Sequence, residues 1–95
     1  MAVVVVNDMP QGSQDFYDQV NPKVMPDGQL PEGCQVHIAG PSGGGWRVIT
    51  VWDSEEQFQQ FRSEKLLPAM KEVGGGEGFI APSIEPDPAY RVLTA

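Results

Sequence analysis

The sequence has few of the residue types that bind metals or form cross-links. Of its 95 residues, one is a cysteine, Cys34, and one is a histidine, His37. A single cysteine cannot form a disulfide within the chain and is typical of a reducing compartment. A zinc site takes three or four ligands, usually from Cys, His and carboxylates. We therefore predict a cytoplasmic protein without a metal site.

Basic residues and long apolar runs are also scarce. Lys and Arg together number 6 against 13 Asp and Glu, and the formal net charge is −7. Nucleic-acid-binding proteins instead cluster Lys and Arg on one face. No stretch approaches the roughly 18 apolar residues of a membrane span, and the apolar start Met1–Val6 lacks the basic residues of a signal peptide. We expect neither a nucleic-acid partner nor a membrane partner.

The strongest secondary-structure signal lies between Gly45 and Met70. Residues 45–52 are mostly β-branched or aromatic, which predicts a strand. Asp53 or Ser54 then begins a helix, because each is followed three positions later by the Glu or Gln of a capping box. Apolar side chains follow at helical spacing. This stretch therefore predicts a strand that leads directly into a capped helix.

The remaining pattern predicts one small domain over residues 1–95. Its order is β-α-β-β-α-β with an extra C-terminal strand, which is typical of a ferredoxin-like α+β fold with an antiparallel sheet. The first helix is capped by Ser13 and kinked or ended by Pro22, and the second helix is broken at Pro68. The further predicted strands lie over Ala2–Asp8, Cys34–Ala39, Phe79–Ile84 and Tyr90–Thr94, with a loop over Gly40–Gly44.

Two strands of this sheet are apolar on both faces. The first carries consecutive valines, Val3–Val6, and the strand before Asp53 is apolar at both odd and even positions. Helices in a ferredoxin-like fold cover only one face of the sheet. A second copy of the same sheet is the simplest cover for the other face. We therefore predict a homodimer.

The segment Val51–Phe58, Val-Trp-Asp-Ser-Glu-Glu-Gln-Phe, resembles the strand-to-helix signature of dimeric α/β-barrel proteins related to antibiotic-biosynthesis monooxygenases. The resemblance implies two sheets that face each other and a small-molecule cavity in each protomer. It does not imply one reaction, because such proteins include cofactor-independent oxygenases, haem-degrading enzymes, lyases and isomerases.

The haem-degrading branch of that group can be compared residue by residue. Its members use an asparagine near the end of the first strand, and Asn7 matches that position. They also use a tryptophan and a histidine on the second helix, where this chain has Phe61 and Met70-Lys71. We therefore expect neither haem nor another cofactor.

His37 is the candidate catalytic residue, because its ordinary pKa lies near neutrality and allows proton transfer. The alternative is a buried histidine that is hydrogen-bonded within the sheet. On strand parity, Gln35 and His37 share one face, opposite Cys34 and Val36. The candidate substrate-binding residues are Asn7, Tyr17, Gln35, Trp46 and Trp52, although core packing is an alternative for the tryptophans.

Arg47 is the one charged residue in its strand. Three roles are open for it: pairing with an acid such as Asp53, reaching across a dimer, or exposure near the hairpin.

Two functions remain open on the sequence. One is a small enzyme, similar to cofactor-independent monooxygenases, that acts on an aromatic or polyketide-type metabolite with His37 as the base. The other is a non-catalytic module that binds a small hydrophobic ligand or serves dimerisation. An open pocket that contains His37 would favour the enzyme, whereas a cavity filled by side chains would favour the module.

Overall fold

A computed structural model describes residues 1–9, 12–74 and 86–93. These residues form a four-stranded antiparallel sheet in the order β2-β3-β1-β4, with helices packed on one face. The α+β arrangement is compatible with the predicted ferredoxin-like fold. The strands are β1 (Val3–Met9), β2 (Cys34–Ser42), β3 (Gly45–Trp52) and β4 (Asp87–Pro88), and the helices are α1 (Gln14–Val24), α2 (Glu55–Phe61) and α3 (Leu67–Val73).

The pairing of β1 with β3 separates the two faces of the sheet. Val3 lies opposite Trp52, and Val5 lies opposite Thr50. All four are buried beneath the helices. Because side chains alternate along a strand, the intervening residues of both strands point to the other face.

The β2–β3 hairpin is tighter than the sequence suggested. β2 extends to Ser42, and only Gly43 and Gly44 separate it from β3. These glycines have φ angles of 57° and 84°, as a two-residue turn with positive φ at both positions requires. The prediction of a loop over Gly40–Gly44 is therefore wrong, because the two central glycines alone complete the turn.

An irregularity near the start of β2 changes which of its residues face the helices. Cys34 lies opposite Trp52, whereas His37 lies opposite Thr50, with a register shift between Cys34 and Val36. A bulge of this kind adds one residue to one strand. Cys34 and His37 therefore share the helix-covered face, and the prediction that Gln35 accompanies His37 there is wrong.

Helix α1 begins where the sequence predicted. The Ser13 hydroxyl accepts a hydrogen bond from the Phe16 N–H at 3.2 Å, which satisfies one of the free donors of the first turn. Pro22 lies inside the last turn, and the helix ends two residues later at Val24. The helix therefore continues past Pro22 for two residues before it ends.

The second helical segment begins at the capping box and changes its pitch. Of the two predicted caps, Ser54 forms the cap: its hydroxyl accepts from the Gln57 N–H at 3.3 Å and donates to the Gln57 side chain at 3.1 Å. A π-helical turn, Arg62–Leu66, joins α2 to α3. Pro68 lies in the first turn of α3, where its missing N–H is tolerated. The predicted break at Pro68 is therefore a local widening of the helix just before it, and the helix continues through α3.

Two groups of buried side chains form the core. The sheet cluster, between β1–β3 and α2, consists of Val3, Val5, Cys34, Trp52 and Phe58. The helix cluster, between α1 and α3, consists of Val20, Ala69 and Met70. Among the described residues, none of the helices is long and apolar enough to cross a membrane.

The C-terminal part of the chain returns to the sheet at a different place from the predicted one. β4 pairs Pro88 with Val3 and Asp87 with Val4, at the edge of the sheet. An edge position suits a proline, which lacks an N–H to donate. Residues 90–93 form no strand, so the predicted strand Tyr90–Thr94 is wrong over that range. The predicted strand Phe79–Ile84 lies outside the described residues.

Candidate functional site

A cavity lies where the sheet cluster meets the helix cluster. Its walls include Val5, Trp52 and Phe58 from the first cluster and Val20 and Met70 from the second. The space open to the centre of a water-sized sphere is about 70 Å³, and the cavity is partly open to solvent. One water needs roughly 10–15 Å³ on this measure. The cavity can therefore hold several waters or part of a small organic molecule.

The cavity wall is apolar apart from a few side chains that carry hydrogen-bonding groups. These are Asn7, Tyr17, Asn21, His37 and Thr50. A largely apolar wall with a few convergent polar groups is typical of small-molecule sites. The polar groups would set the orientation of a bound molecule, since the rest of the wall makes only non-directional contacts.

A helix and a strand bring Tyr17 and His37 together. The hydroxyl of Tyr17, on α1, lies 2.6 Å from Nε2 of His37, on β2. The bulge that precedes Val36 turns His37 toward the helices. The Tyr17 ring contacts the imidazole of His37, with ring centres 5.8 Å apart, and the indole of Trp46, at 5.5 Å.

Burial holds both members of this pair in their neutral forms at pH 7. Desolvation lowers the pKa of His37 from its ordinary 6.5 because an imidazolium is poorly solvated there. Desolvation, and secondarily the charge of Asp18, raises the pKa of Tyr17 above its ordinary 10.0. The contact therefore joins a phenol to a neutral imidazole, and which of the two donates depends on the imidazole tautomer.

The second ring nitrogen of His37 is enclosed. Nδ1 is buried and has no hydrogen-bond partner among the described residues. Burial of an unpaired polar atom has a free-energy cost. The ring of His37 thus has one nitrogen bonded to Tyr17 and one shielded by the surrounding protein.

Asn7 contributes a second polar group on the β1 side of the cavity. It is 8% exposed and lines the cavity, yet its side-chain amide takes part in none of the hydrogen bonds of the described residues. A buried amide normally finds a partner. Asn7 is therefore available to a bound molecule.

Trp52 forms a fixed wall of the cavity. It is fully buried, and its indole N–H donates to the Thr50 hydroxyl at 2.9 Å. Its ring centre lies 5.8 Å from that of Phe58 and 5.1 Å from that of Phe61, within the range of favourable aromatic pairs. Trp52 therefore serves the core and the cavity wall together.

The other two predicted binding residues lie outside the cavity lining. Trp46 packs against the Tyr17 ring, and its indole N–H is buried without a partner in the part of the chain that the structure describes. Gln35 lies at the surface, where its amide donates to Asp53 at 2.7 Å. The structure thus brings together Asn7, Tyr17, His37 and Trp52 but not Gln35.

Sequence reasoning missed Thr50 and Asn21 as polar members of the wall. Thr50 offered a signal, since it is a polar residue at the position of β3 that shares a face with Trp46 and Trp52. Asn21 offered none, because one asparagine in a helix with many polar residues is indistinguishable from a solvent-exposed one.

None of the helices among the described residues contributes buried side chains to the opposite face of the sheet. We name it the open face; it consists of Val4, Val6, Val36, Ile38, Ile49 and Val51. Val6 is 44% exposed and Ile38 is 55% exposed. Contiguous exposed apolar side chains often mark an interaction surface.

Arg47 forms an ion pair at the rim of the open face. It lies opposite Asp8 in the β1–β3 register and bonds both oxygens of its carboxylate, one of them from Nη2 at 3.1 Å. The guanidinium lowers the pKa of Asp8. The suggested pairing of Arg47 with an acid is therefore confirmed, but the acid is Asp8, the direct cross-strand neighbour, and not Asp53.

The described residues bring together no group of three His, Cys, Asp or Glu side chains that could hold a metal ion. The sequence matches no family model, and neither curated proteins nor solved structures match it. The cavity and its polar side chains are therefore the features of the protein that bear on its function.

Proposed function

We propose that the cavity binds a small, mainly apolar or aromatic molecule that carries at least one oxygen atom. The observation that carries this proposal is the cavity between the two core clusters, with Tyr17 bonded to His37 and with Asn7, whose amide has no partner among the described residues, in its wall. The apolar wall favours a hydrophobic body, and the polar groups favour an oxygen placed against them.

The volume of the cavity limits the size of that molecule. An apolar cavity of about 150 Å³ holds benzene, whereas this cavity has about 70 Å³. A single ring enters only with part of it in the open mouth or with a shift of side chains at the wall. The proposal therefore favours monocyclic aromatic or cyclic diketone compounds over the larger polycyclic polyketides.

The chemistry we propose is oxygenation without a cofactor, as the resemblance in Val51–Phe58 implies. The substrate loses a proton from an activated CH₂ group, and the His37–Tyr17 pair takes up that proton. The carbanion gives its electrons to O₂ and forms a C–O bond, the His37–Tyr17 pair returns its proton to the peroxide, and the hydroperoxide loses water as the O–O bond breaks. The balance is R₂CH₂ + O₂ → R₂C=O + H₂O, so the substrate is the only reductant.

Binding is tested with phenol by calorimetry. Val24 lies in the cavity wall, so Val24→Phe should fill part of the cavity and weaken phenol binding at least about tenfold. Leu30 is 45% exposed and lies outside the cavity lining, so Leu30→Phe adds the same ring elsewhere and should leave binding unchanged. Equal affinities in the two variants would contradict the proposed location.

Turnover is tested with 1,3-cyclohexanedione, a monocyclic compound with an activated CH₂ group. The wild-type protein should consume O₂ in step with the loss of the dione, and His37→Gln should abolish this because an amide cannot take up the proton. Oxygen uptake that His37→Gln leaves unchanged would contradict the role of His37.

The second candidate is a ligand-binding module without chemistry. It is favoured by the surroundings of His37, where burial lowers the pKa and one ring nitrogen is enclosed, since both features oppose proton uptake. Phenol binding without any oxygen uptake would support this candidate over the enzyme.

The open face supports the proposal of a homodimer in which two sheets pack face to face. Its apolar side chains lie on three adjacent strands, and the packing of two such faces would remove them from water. The dimeric α/β barrel and the cytoplasmic location rest on the sequence and belong to this proposal.

A further inference from the structure

The two ring nitrogens of His37 are both unavailable to a molecule in the cavity. Nε2 is 2.6 Å from the Tyr17 hydroxyl, and Nδ1 is buried by protein atoms. A general base must approach the proton it accepts to hydrogen-bonding distance or act through an intermediate group. In this structure His37 can act on a ligand only through Tyr17.

We infer that the hydroxyl of Tyr17 is the group that meets the ligand, that the ligand presents a carbonyl, enol or phenol oxygen to it, and that His37 is a positioning residue behind it. This inference rests on the proposed function and deepens it. It changes the role that the sequence suggested for His37, which was that of the base acting on the substrate, and keeps Tyr17 as a residue that contacts the ligand.

The hydroxyl of Tyr17 can serve either kind of ligand oxygen. A hydroxyl has one donor and two acceptor lone pairs, and a neutral imidazole carries its proton on either nitrogen. When Nε2–H donates to Tyr17, the phenolic proton is free to donate to a carbonyl. When the phenol donates to Nε2 instead, its oxygen is free to accept from an enol or phenol.

Packing fixes the hydroxyl in place before any ligand arrives. The Tyr17 ring contacts both Trp46 and His37, and the Ser13 cap stabilises the first turn of α1. A donor that is already oriented loses little conformational entropy on binding. Asn7 offers a second polar contact from β1, so a ligand with two oxygen atoms is also compatible with the wall.

The test compares two probes of nearly equal shape, cyclohexanone and methylenecyclohexane, which differ in the replacement of C=O by C=CH₂. Dissociation constants are measured by NMR titration for the wild type and for Tyr17→Phe, which keeps the ring and its packing. One hydrogen bond contributes about 0.5–1.5 kcal/mol, which corresponds to about two- to twelvefold in affinity. Tyr17→Phe should weaken the binding of the ketone by that factor and change the affinity for the alkene less than about twofold.

The position of His37 behind Tyr17 is tested with a matched pair of substitutions. His37→Gln keeps an amide that can bond the Tyr17 hydroxyl, so the preference for the ketone should stay within about twofold of wild type. His37→Leu removes that bond, so the preference should fall toward that of Tyr17→Phe. A purely structural role of His37 would not distinguish ketone from alkene.

The outcomes separate this inference from the proposed function. If both probes bind in the cavity and Tyr17→Phe leaves their affinity ratio unchanged, the inference is overturned while the proposed binding site stands. If His37→Gln loses the ketone preference as fully as His37→Leu while Tyr17→Phe keeps it, His37 contacts the ligand directly and the inference is again overturned. If neither probe shifts the signals of cavity-lining residues in the wild type, the proposed function itself fails.

Discussion

The hydroxyl of Tyr17 lies 2.6 Å from Nε2 of His37, and this contact ties helix α1 to strand β2 at the wall of the cavity. The two residues are 20 positions apart in the chain, so only the tertiary fold brings them together. Because both are partly buried and neutral, the contact links the stability of the fold to the chemistry of the site.

The first prediction concerns the effect of pH on stability. Burial lowers the pKa of His37 from 6.5, so the unfolded chain binds a proton near that pH while the folded chain does not. The free energy of unfolding should therefore decrease as the pH falls from 6.5 toward the lowered pKa of His37. It should increase again when the pH is raised back to 6.5. Thermal unfolding at about pH 5 and about pH 7.5 measures this loss.

His37→Gln is the control, because glutamine does not titrate. The decrease in Tm between the two pH values should be smaller in His37→Gln than in the wild type. Equal decreases in both proteins would mean that other groups, such as carboxylates, account for the entire pH effect.

The second prediction concerns the hydrogen bond between Trp52 and Thr50. Thr50→Val keeps the side-chain shape but leaves the buried indole N–H without its acceptor. We expect the free energy of unfolding to decrease by about 1–3 kcal/mol. Thr50→Ser retains the hydroxyl and loses one methyl group, which costs about 1 kcal/mol. Urea denaturation should find Thr50→Val the less stable of the two, and the reverse order would refute the role of this bond.

The third prediction concerns Gly33, which has a φ of +87°. Gly33→Ala places a Cβ 2.6 Å from the end of the Gln57 side chain, which accepts from the hydroxyl of the helix cap Ser54. Gly28 also has a positive φ, +70°, but no atom of the described residues lies within 4 Å of an added Cβ. Gly28→Ala should therefore lower the free energy of unfolding only by the cost of placing a residue with a Cβ in the left-handed conformation, about 1–2 kcal/mol.

Urea denaturation of both alanine variants measures the difference. Gly33→Ala should be the more destabilising, because Gln57 must move away from its contact at the cap. If the two variants lose the same stability, the approach of Gly33 to Gln57 is unimportant.

The sequence predicted those parts of the fold that depend on local signals. Ser13 and Ser54 cap helices because their side chains accept from N–H groups two or three residues ahead, and this is visible in sequence spacing. The tight hairpin was missed because residues 40–42 pair as strand, which depends on their partners in β3. The position of β4 was missed because edge pairing of a proline is decided by tertiary contacts.

The site was predictable to a smaller extent. The sequence was sufficient to name four cavity residues, because each is polar or aromatic and lies on an element expected to line one cavity: Asn7, Tyr17, His37 and Trp52. The register shift before Val36 decides which residues of β2 face the cavity, and no residue in the sequence indicates that shift. The enclosure of the His37 Nδ1 is a property of packing, which strand parity cannot show.

The fourth prediction concerns the open face. If two copies pack through it, Ile38→Lys should produce a monomer, because a charged side chain would be buried in the interface. Leu30→Lys is the matched control, since Leu30 is also exposed, at 45%, but lies outside the open face. Sedimentation at low concentration should show a dimer for the wild type and Leu30→Lys and a monomer for Ile38→Lys. A wild-type monomer would contradict the dimer.

The location of a bound small molecule is the central claim, and intermolecular NOEs from phenol test it most directly. The account predicts NOEs from the phenol ring to the methyl groups of Val20 and Met70, which line the cavity. NOEs confined to Val6 and Ile38 would place the phenol on the open face instead, and would contradict the cavity as the binding site.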